Sequence, residues 1–98
     1  MSKKQNLNDN VVFVGSKPLV NYIKAVITQF TRKDAPEVII KSRGKFISKA
    51  VDVAEVSRRT LEAKGVKVKE ITIASESFEV EGRRTNISTM DIVLSREV

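Results

Sequence analysis

The sequence predicts a two-layer α/β (α+β) sandwich, in which two helices cover one face of a four-stranded mixed sheet. Continuous apolar runs at 10–14 and 38–40 are typical of buried strands. Apolar residues at helical spacing predict a helix after each run, over 18–32 and from about 46 to 64. Alternating apolar residues in the last third of the chain predict two more strands. The resulting order, β-α-β-α-β-β, combines a parallel β-α-β unit with an antiparallel hairpin.

The first helix is indicated by Pro18, which suits the first turn of a helix because its missing N–H costs nothing there. Its apolar face is formed by Leu19, Tyr22, Ile23, Val26, Ile27 and Phe30. Among the aromatic residues, we expect Phe13, Tyr22 and Phe30 to lie in the core. The segment RKDAPE that follows predicts a turn, since proline disfavours helix at the residue before it.

The second helix has its main apolar face at Ile47, Ala50, Val51, Ala54 and Leu61. Gly65 is placed to end it. Beyond the helix, the alternation of apolar residues changes parity near Lys69 and Glu70, which predicts a β-bulge. Gly82 lies near the turn of a long hairpin.

Length and composition predict one domain over 10–98, preceded by a polar arm over 1–9. No apolar run approaches the roughly 18 residues of a membrane span, and the first residues contain no apolar signal core. We therefore expect a cytoplasmic protein with no membrane partner.

Two residue types that are absent from the sequence limit the kinds of catalytic and metal sites that the protein can form. The chain has no cysteine and no histidine. Disulfides, thiolate metal sites and the commonest general base are therefore excluded. Asp52 and Glu55 share a helix at i,i+3, but solvation or ion pairing explains such a pair better than catalysis. We predict no catalytic residues, no metal site and no cofactor, and hence a protein that is not an enzyme.

The positive charge is concentrated in one half of the chain. The net charge is +6; residues 1–49 carry a balance of +7 and residues 50–98 a balance of −1. Concentrated positive charge favours a polyanionic partner, either nucleic acid or anionic lipid.

The clearest candidate site is KSRGKFISK, residues 41–49, at the second strand-to-helix junction. Arg43 and Lys45 flank Gly44, which allows a positive φ or a close approach of a ligand. Lys49 borders the site one turn into the helix. The helix N-terminus supplies free N–H donors, so the loop suits phosphate. The alternative is a solvated loop with a turn glycine.

Two further basic segments strengthen this prediction. GSKP, residues 15–18, places Lys17 at the first strand-to-helix junction, and parallel strands bring both loops to one edge of the sheet. EGRRTN, residues 81–86, places Arg83 and Arg84 near a hairpin tip, where arginines can enter a DNA groove. A turn that is merely solvated is the alternative for the hairpin.

Three segments carry a family resemblance: NVVFVGSKPLVNYIKAV, EVIIKSRGKFISKAVDVAEV and VKEITIAS. From about Asn10 to Leu94 the chain resembles the Alba family of small basic archaeal chromatin proteins. The resemblance implies a fold like the C-terminal domain of translation initiation factor three. It also implies a homodimer that binds double-stranded DNA with little sequence preference, with RNA bound by relatives. Lys17, Arg43 and Lys45 match the central contacts, and Arg83 and Arg84 match the hairpin arm.

The chain departs from the family pattern at two positions. Ser16 replaces a lysine that is the acetylation target in the family, so control by acetylation is unsupported there. Leu61 occupies a position where the family often has an exposed phenylalanine, which implies a dimer-dimer contact at Leu61.

The basic segments and the family resemblance are compatible with three functions. The first is a dimeric chromatin protein, associated with the chromosome or nucleoid, that coats or condenses DNA. The second is an RNA-binding protein or ribonucleoprotein component, because the same cations can bind either polymer. In both cases the partner in the dimer is a second copy of the chain or, alternatively, a paralogue. The third, an enzyme acting on phosphate-bearing small molecules, is disfavoured because both basic loops lack a nucleotide-binding fingerprint.

Overall fold

The computed structural model describes residues 10–97. Its elements follow the predicted order: β1 (Val11–Phe13), α1 (Leu19–Thr31), β2 (Glu37–Arg43), α2 (Ile47–Thr60), β3 (Val66–Val80) and β4 (Arg83–Arg96). The sheet order is β1-β2-β4-β3, with β1 parallel to β2 and the other pairs antiparallel. The predicted fold class is confirmed, whereas the predicted arm over 1–9 lies outside the described residues.

The core lies between the helices and one face of the sheet. Along β2, Val38, Ile40 and Ser42 are buried, whereas Ile39, Lys41 and Arg43 are not, because successive strand residues point to opposite faces. The buried side chains pack with Val26 and Phe30 of α1, among others. We call the other side of the sheet, which neither α1 nor α2 covers, the outer face. It carries the ion pair between Lys41 and Asp91, whose atoms are 2.8 Å apart.

The expectation that Phe13 lies in the core is wrong. Phe13 is 66% exposed, whereas its neighbours Val12 and Val14 are buried. Phe13 pairs with Lys41 in the parallel ladder and so shares the outer face with it. A continuous apolar run does not reveal which face each residue takes, because β1 is a short edge strand covered on one side only. The core positions predicted for Tyr22 and Phe30 are confirmed.

The assignment of Leu61 to a dimer-dimer contact is also wrong. Leu61 is 4% exposed and belongs to the core. It follows Ser57, also buried, by one helical turn, and so continues the face of α2 that packs inward. The helical spacing, which placed Leu61 on the apolar face, predicted its position correctly. Val51, predicted on that face as well, is instead exposed.

The turns match the expectations from glycine positions. Gly65 adopts φ +84° after α2, and the ladder between β3 and β4 shifts register between Val68 and Glu70. Glu81 and Gly82 both have positive φ and form the two-residue hairpin turn. The hairpin is long, with 15 residues in β3 and 14 in β4. Residues 67–80 and 83–86 are all exposed, so the distal part of the hairpin projects from the body as an arm.

We predict that Gly65→Ala destabilises the protein more than Gly82→Ala. Both glycines have positive φ, which costs an alanine about 1–2 kcal/mol. A Cβ at Gly82 meets nothing within 4 Å, whereas one at Gly65 would lie 2.6 Å from the backbone oxygen of Glu97. The added overlap should cost about 1–3 kcal/mol more. Urea unfolding at one protein concentration measures the difference, and equal losses would contradict the packing argument.

Candidate nucleic-acid interface

Two basic loops meet at the edge of the sheet where β1 and β2 end. The first comprises residues 15–18 and the second residues 43–46; together with Lys49 we call them the basic edge. The ammonium of Lys49 donates a hydrogen bond to the carbonyl oxygen of Gly15 at 2.7 Å and another to that of Lys17. Lys49 therefore ties the first turn of α2 to the first loop. Five of the predicted site residues, Lys17, Arg43, Gly44, Lys45 and Lys49, come together here.

Lys49 has an internal role that its position in the sequence does not reveal. Its ammonium is only partly exposed, and it lies 5.3 Å from the ring centre of Tyr22 and 5.9 Å from that of Phe46. Two carbonyl oxygens and two aromatic faces thus compensate for the lost hydration of the charge. A direct phosphate contact by Lys49 stays a prediction, but its hydrogen bonds are already committed to the loop.

Lys17 and Lys45 are the cations that the basic edge presents to solvent. Both side chains are exposed, and within residues 10–97 neither takes part in an ion pair. The backbone N–H of Lys17 donates to the hydroxyl of Tyr22 at 3.0 Å, which fixes the loop while leaving the side chain free. Lys45 lies over the ring of Phe46 at 5.5 Å. Both ammonium groups are placed to meet an approaching anion.

Both helices begin at the basic edge, and the partial positive charge at each N-terminus is not neutralised by an acidic side chain. Neither α1 nor α2 has an acidic residue in its first turn, and neither has a side-chain cap. The first N–H groups of each helix therefore lack a side-chain acceptor, and each helix adds a partial positive charge. The backbone reinforces the side-chain cations, which makes this edge attractive to phosphate.

Gly44 is required by the shape of the second loop. It adopts φ +59°, and a Cβ there would lie 2.9 Å from Cδ1 of Ile87. Of the two possibilities that the sequence offered for Gly44, a positive φ or a close approach of a ligand, the structure shows the positive φ. Because only glycine adopts this φ readily and the backbone passes close to the Ile87 side chain, Gly44 fixes the path from Arg43 into α2.

Arg43 has an acidic partner that the sequence did not suggest. Its guanidinium lies 2.9 Å from the carboxylate of Glu76, and the two side chains are 61% and 54% exposed. Glu76 lies on β3, two strands away in the sheet, and only the cross-strand register brings it near. A phosphate that binds Arg43 therefore competes with Glu76 for the guanidinium. Exposed pairs of this kind are weak, so displacement is feasible.

Arg83 and Arg84 lie apart from the basic edge. Arg43 pairs with Thr89 across the sheet, and Arg83 lies six positions before Thr89 along β4, which corresponds to about 20 Å. Successive strand residues point to opposite faces. Arg83 therefore shares the outer face with Arg43, whereas Arg84 points to the other side. The two arginines extend the positive charge along the arm without joining the central patch.

Other candidate chemistry is weak in residues 10–97. The second-helix Arg58 hydrogen-bonds Glu55, and that bond lowers the pKa of the Glu55 carboxyl. No three residues of the types His, Cys, Asp and Glu are grouped so that they could hold a metal ion. Neither described helix has the length and apolar character needed to span a membrane.

Comparisons with known proteins agree with this architecture. The family model described as Alba matches residues 10–75. The chain is 44% identical over 88 residues to the DNA/RNA-binding protein Alba of Picrophilus torridus, covering 90% of this chain and 97% of that protein. A relative with the same description from Methanococcus maripaludis is 49% identical over 88 residues, covering 88% and 97%. The solved structure of Alba from Thermoplasma volcanium has TM-score 0.79 and 47% identity, covering 89% of this chain and 100% of that chain.

We predict that Lys49→Met loosens the first loop and destabilises the protein by about 2 kcal/mol, since two hydrogen bonds from a charged donor are lost. Methionine keeps the apolar stem, so packing against Tyr22 is preserved. Lys45→Met is the matched control: its ammonium makes no hydrogen bond in residues 10–97, and we expect a change below about 0.5 kcal/mol.

Urea unfolding measures both variants, and amide hydrogen exchange at residues 15–17 reports on the loop. Equal stability of the two variants, with unchanged exchange, would show that Lys49 does not hold the loop.

Proposed function

The chain belongs to the Alba family, and on this premise we propose that it is a dimeric protein that binds double-stranded DNA with little dependence on sequence. The observation that carries the proposal is the basic edge, where Lys49 holds two cationic loops and two helix N-termini in one patch. Relatives described as DNA/RNA-binding protein Alba cover most of this chain. In this role the protein coats or compacts DNA and is associated with the chromosome or nucleoid in the cytoplasm.

Affinity in this proposal comes from phosphate neutralisation. Lys17, Arg43 and Lys45 replace condensed counterions on the duplex, and release of those ions drives binding. Contacts of this kind carry no base information. The basic edge consists of loops and helix ends, and the helix axes do not need to enter a groove to reach phosphate. Weak sequence dependence follows from this arrangement.

The hairpin arm supplies outer contacts in the same proposal. Arg83 shares the outer face with Arg43, so one duplex lying along this face can meet both. Arg84 points to the opposite side and would contribute only where the duplex curves around the arm. The arm lengthens the binding surface more than it adds to the central patch.

A second copy of the chain accounts for the uncovered apolar surface on the helix side of the arm. Ile71 and Ile73 are 55% and 73% exposed, and their cross-strand partners are Ile92 and Met90. Because Ile92 is buried beneath the helices, Ile71 and Ile73 point to the same side, beyond the cover that α1 and α2 provide. Exposed apolar residues grouped in this way mark interaction sites. Homodimerisation, which the family resemblance implies, would bury them and double the basic edge.

RNA is the second candidate polymer, because the relatives' description includes it and the same cations attract both. The relatives are described as binding proteins, and we propose no enzymatic activity. Competition between duplex DNA and structured RNA of equal length, at one salt concentration, tests the choice. We expect the duplex DNA to compete at least as well as the RNA; strong preference for RNA would overturn the first proposal in favour of the second.

We predict that Arg43→Ala weakens binding to all duplex sequences alike. Loss of one phosphate contact should reduce the slope of log K against log salt concentration by about one unit for each Arg43 removed. Fluorescence anisotropy across a salt series measures both quantities. Unchanged affinity and slope would remove Arg43 from the interface.

Glu76→Gln is the matched variant for this test. It frees Arg43 from its carboxylate partner, so we expect binding to tighten by about two- to fivefold at low salt. The gain should disappear in the Arg43→Ala background, because the carboxylate then has no cation to occupy. A gain that persists there would indicate a general charge effect.

We predict that Ile73→Glu converts the dimer to monomers without unfolding the chain. Ile73 is exposed in the single chain, so a carboxylate there is hydrated, whereas burial in a dimer would cost several kcal/mol. Val20→Glu, at another exposed apolar position on α1, is the control. Light scattering after gel filtration gives the mass, and circular dichroism checks the fold. An unchanged mass for Ile73→Glu would place the dimer interface elsewhere.

A further inference from the structure

A pocket of about 580 Å³ adjoins the basic edge and has an exposed aromatic ring in its wall. Phe13, the ring in question, is the most exposed of the large hydrophobic residues after Ile73. It lies at the end of β1 on the outer face, beside Lys41. The pocket extends from this face over the end of the sheet to Phe46 in the second loop. A strand-borne aromatic beside cationic loops is the arrangement with which proteins stack unpaired bases.

The pocket itself is close to electroneutral, although the loops beside it are basic. Lys41 is paired with Asp91 at 2.8 Å, and Arg43 with Glu76 at 2.9 Å. A pocket with such lining suits a group that is flat, uncharged and polar at its rim. A nucleobase has these properties, since it offers a π-face to the ring and hydrogen-bonding edges to carboxylates and hydroxyls.

The charged groups of a nucleotide find their counterparts outside the pocket. Lys17 and Lys45 are exposed on the adjoining loops, and Arg43 lines the pocket together with Phe13. A chain with one base against Phe13 could therefore keep its phosphates on the basic edge. The pocket volume also falls in the range of about 300–1,000 Å³ that small ligands occupy.

We propose that this pocket binds one unpaired base of single-stranded nucleic acid, stacked on Phe13, with the adjoining phosphate on Arg43. This inference rests on the proposed nucleic-acid-binding function and adds that the protein recognises an unpaired base in its ligand. A base inside an intact duplex is stacked on its neighbours and cannot reach the ring without extrusion. The site therefore selects single strands, loops and bulges, whereas the basic edge alone accepts a duplex.

Two substitutions at Phe13 test the proposal. Phe13→Trp keeps a flat ring and introduces the only tryptophan of the chain. Its fluorescence should be quenched by a single-stranded oligoadenylate RNA and not by a duplex of the same length. Phe13→Leu keeps apolar bulk but removes the π-face. It should weaken binding of the single strand on the order of tenfold and binding of the duplex by less than about twofold.

Each other outcome has a defined meaning. Equal weakening of single strand and duplex by Phe13→Leu, or a tryptophan that the single strand does not quench, would overturn the stacking site while leaving duplex binding intact. A change in the mass of the complex on Phe13→Leu would identify the ring as a protein contact instead. Failure of the unmodified protein to bind either polymer would overturn the proposed function itself. Since Phe13 is exposed, circular dichroism should show that both variants fold.

Discussion

The contact between Lys49 and the first loop is the interaction on which the candidate site depends. Without it, the segments 15–18 and 43–46 would be two separate connections, each ending a different strand. The Lys49 ammonium reaches the carbonyls of Gly15 and Lys17, and so makes the start of α2 a support for the start of α1. Because the Lys49 ammonium bonds to the backbone of the first loop, the side chains of Lys17 and Lys45 remain exposed on loops whose positions are fixed. The exposed ammonium groups of Lys17 and Lys45 are therefore the charges available to a polyanion.

The distribution of charge in the sequence has a structural counterpart. Four cations of the first half of the chain, Lys17, Arg43, Lys45 and Lys49, gather at one edge of the sheet, because parallel β1 and β2 both end there. Within residues 10–97, four charged residues of the second half pair with the first half: Glu76 with Arg43, Asp91 with Lys41, Lys69 with Glu37, and Arg96 with Asp34. The pair between Lys41 and Asp91 joins neighbouring strands, whereas the pairs of Arg43 and Glu37 reach from β2 across β4 to β3, on the sheet face that neither α1 nor α2 covers. They keep that face hydrated and leave the net positive charge at its end.

Local patterns were sufficient for the elements and their order, because helical spacing, alternation and turn glycines act over a few residues. They were insufficient wherever a distant segment decides the outcome. Phe13 was misplaced because a three-residue edge strand has no alternation long enough to show its faces. The partnership of Arg43 with Glu76 depends on strand register across 33 residues. The role of Lys49 depends on hydrogen bonds to backbone carbonyls. Every residue has such a carbonyl, so the residue types in the first loop do not reveal these bonds. The resemblance located the basic loops but misassigned Leu61, whose helical phase pointed inward.

The two proposals for the surface near β1 involve two kinds of attraction that respond differently to solution conditions. The proposed phosphate contacts at the basic edge would weaken steeply as salt rises, because their energy comes from counterion release. Stacking on an aromatic ring is an apolar contact and does not release ions from the nucleic acid. The ratio of single-strand to duplex affinity should therefore rise with salt concentration. An edge that holds any polyanion and a ring that accepts only an unpaired base would let one small domain bind both kinds of polymer while distinguishing them.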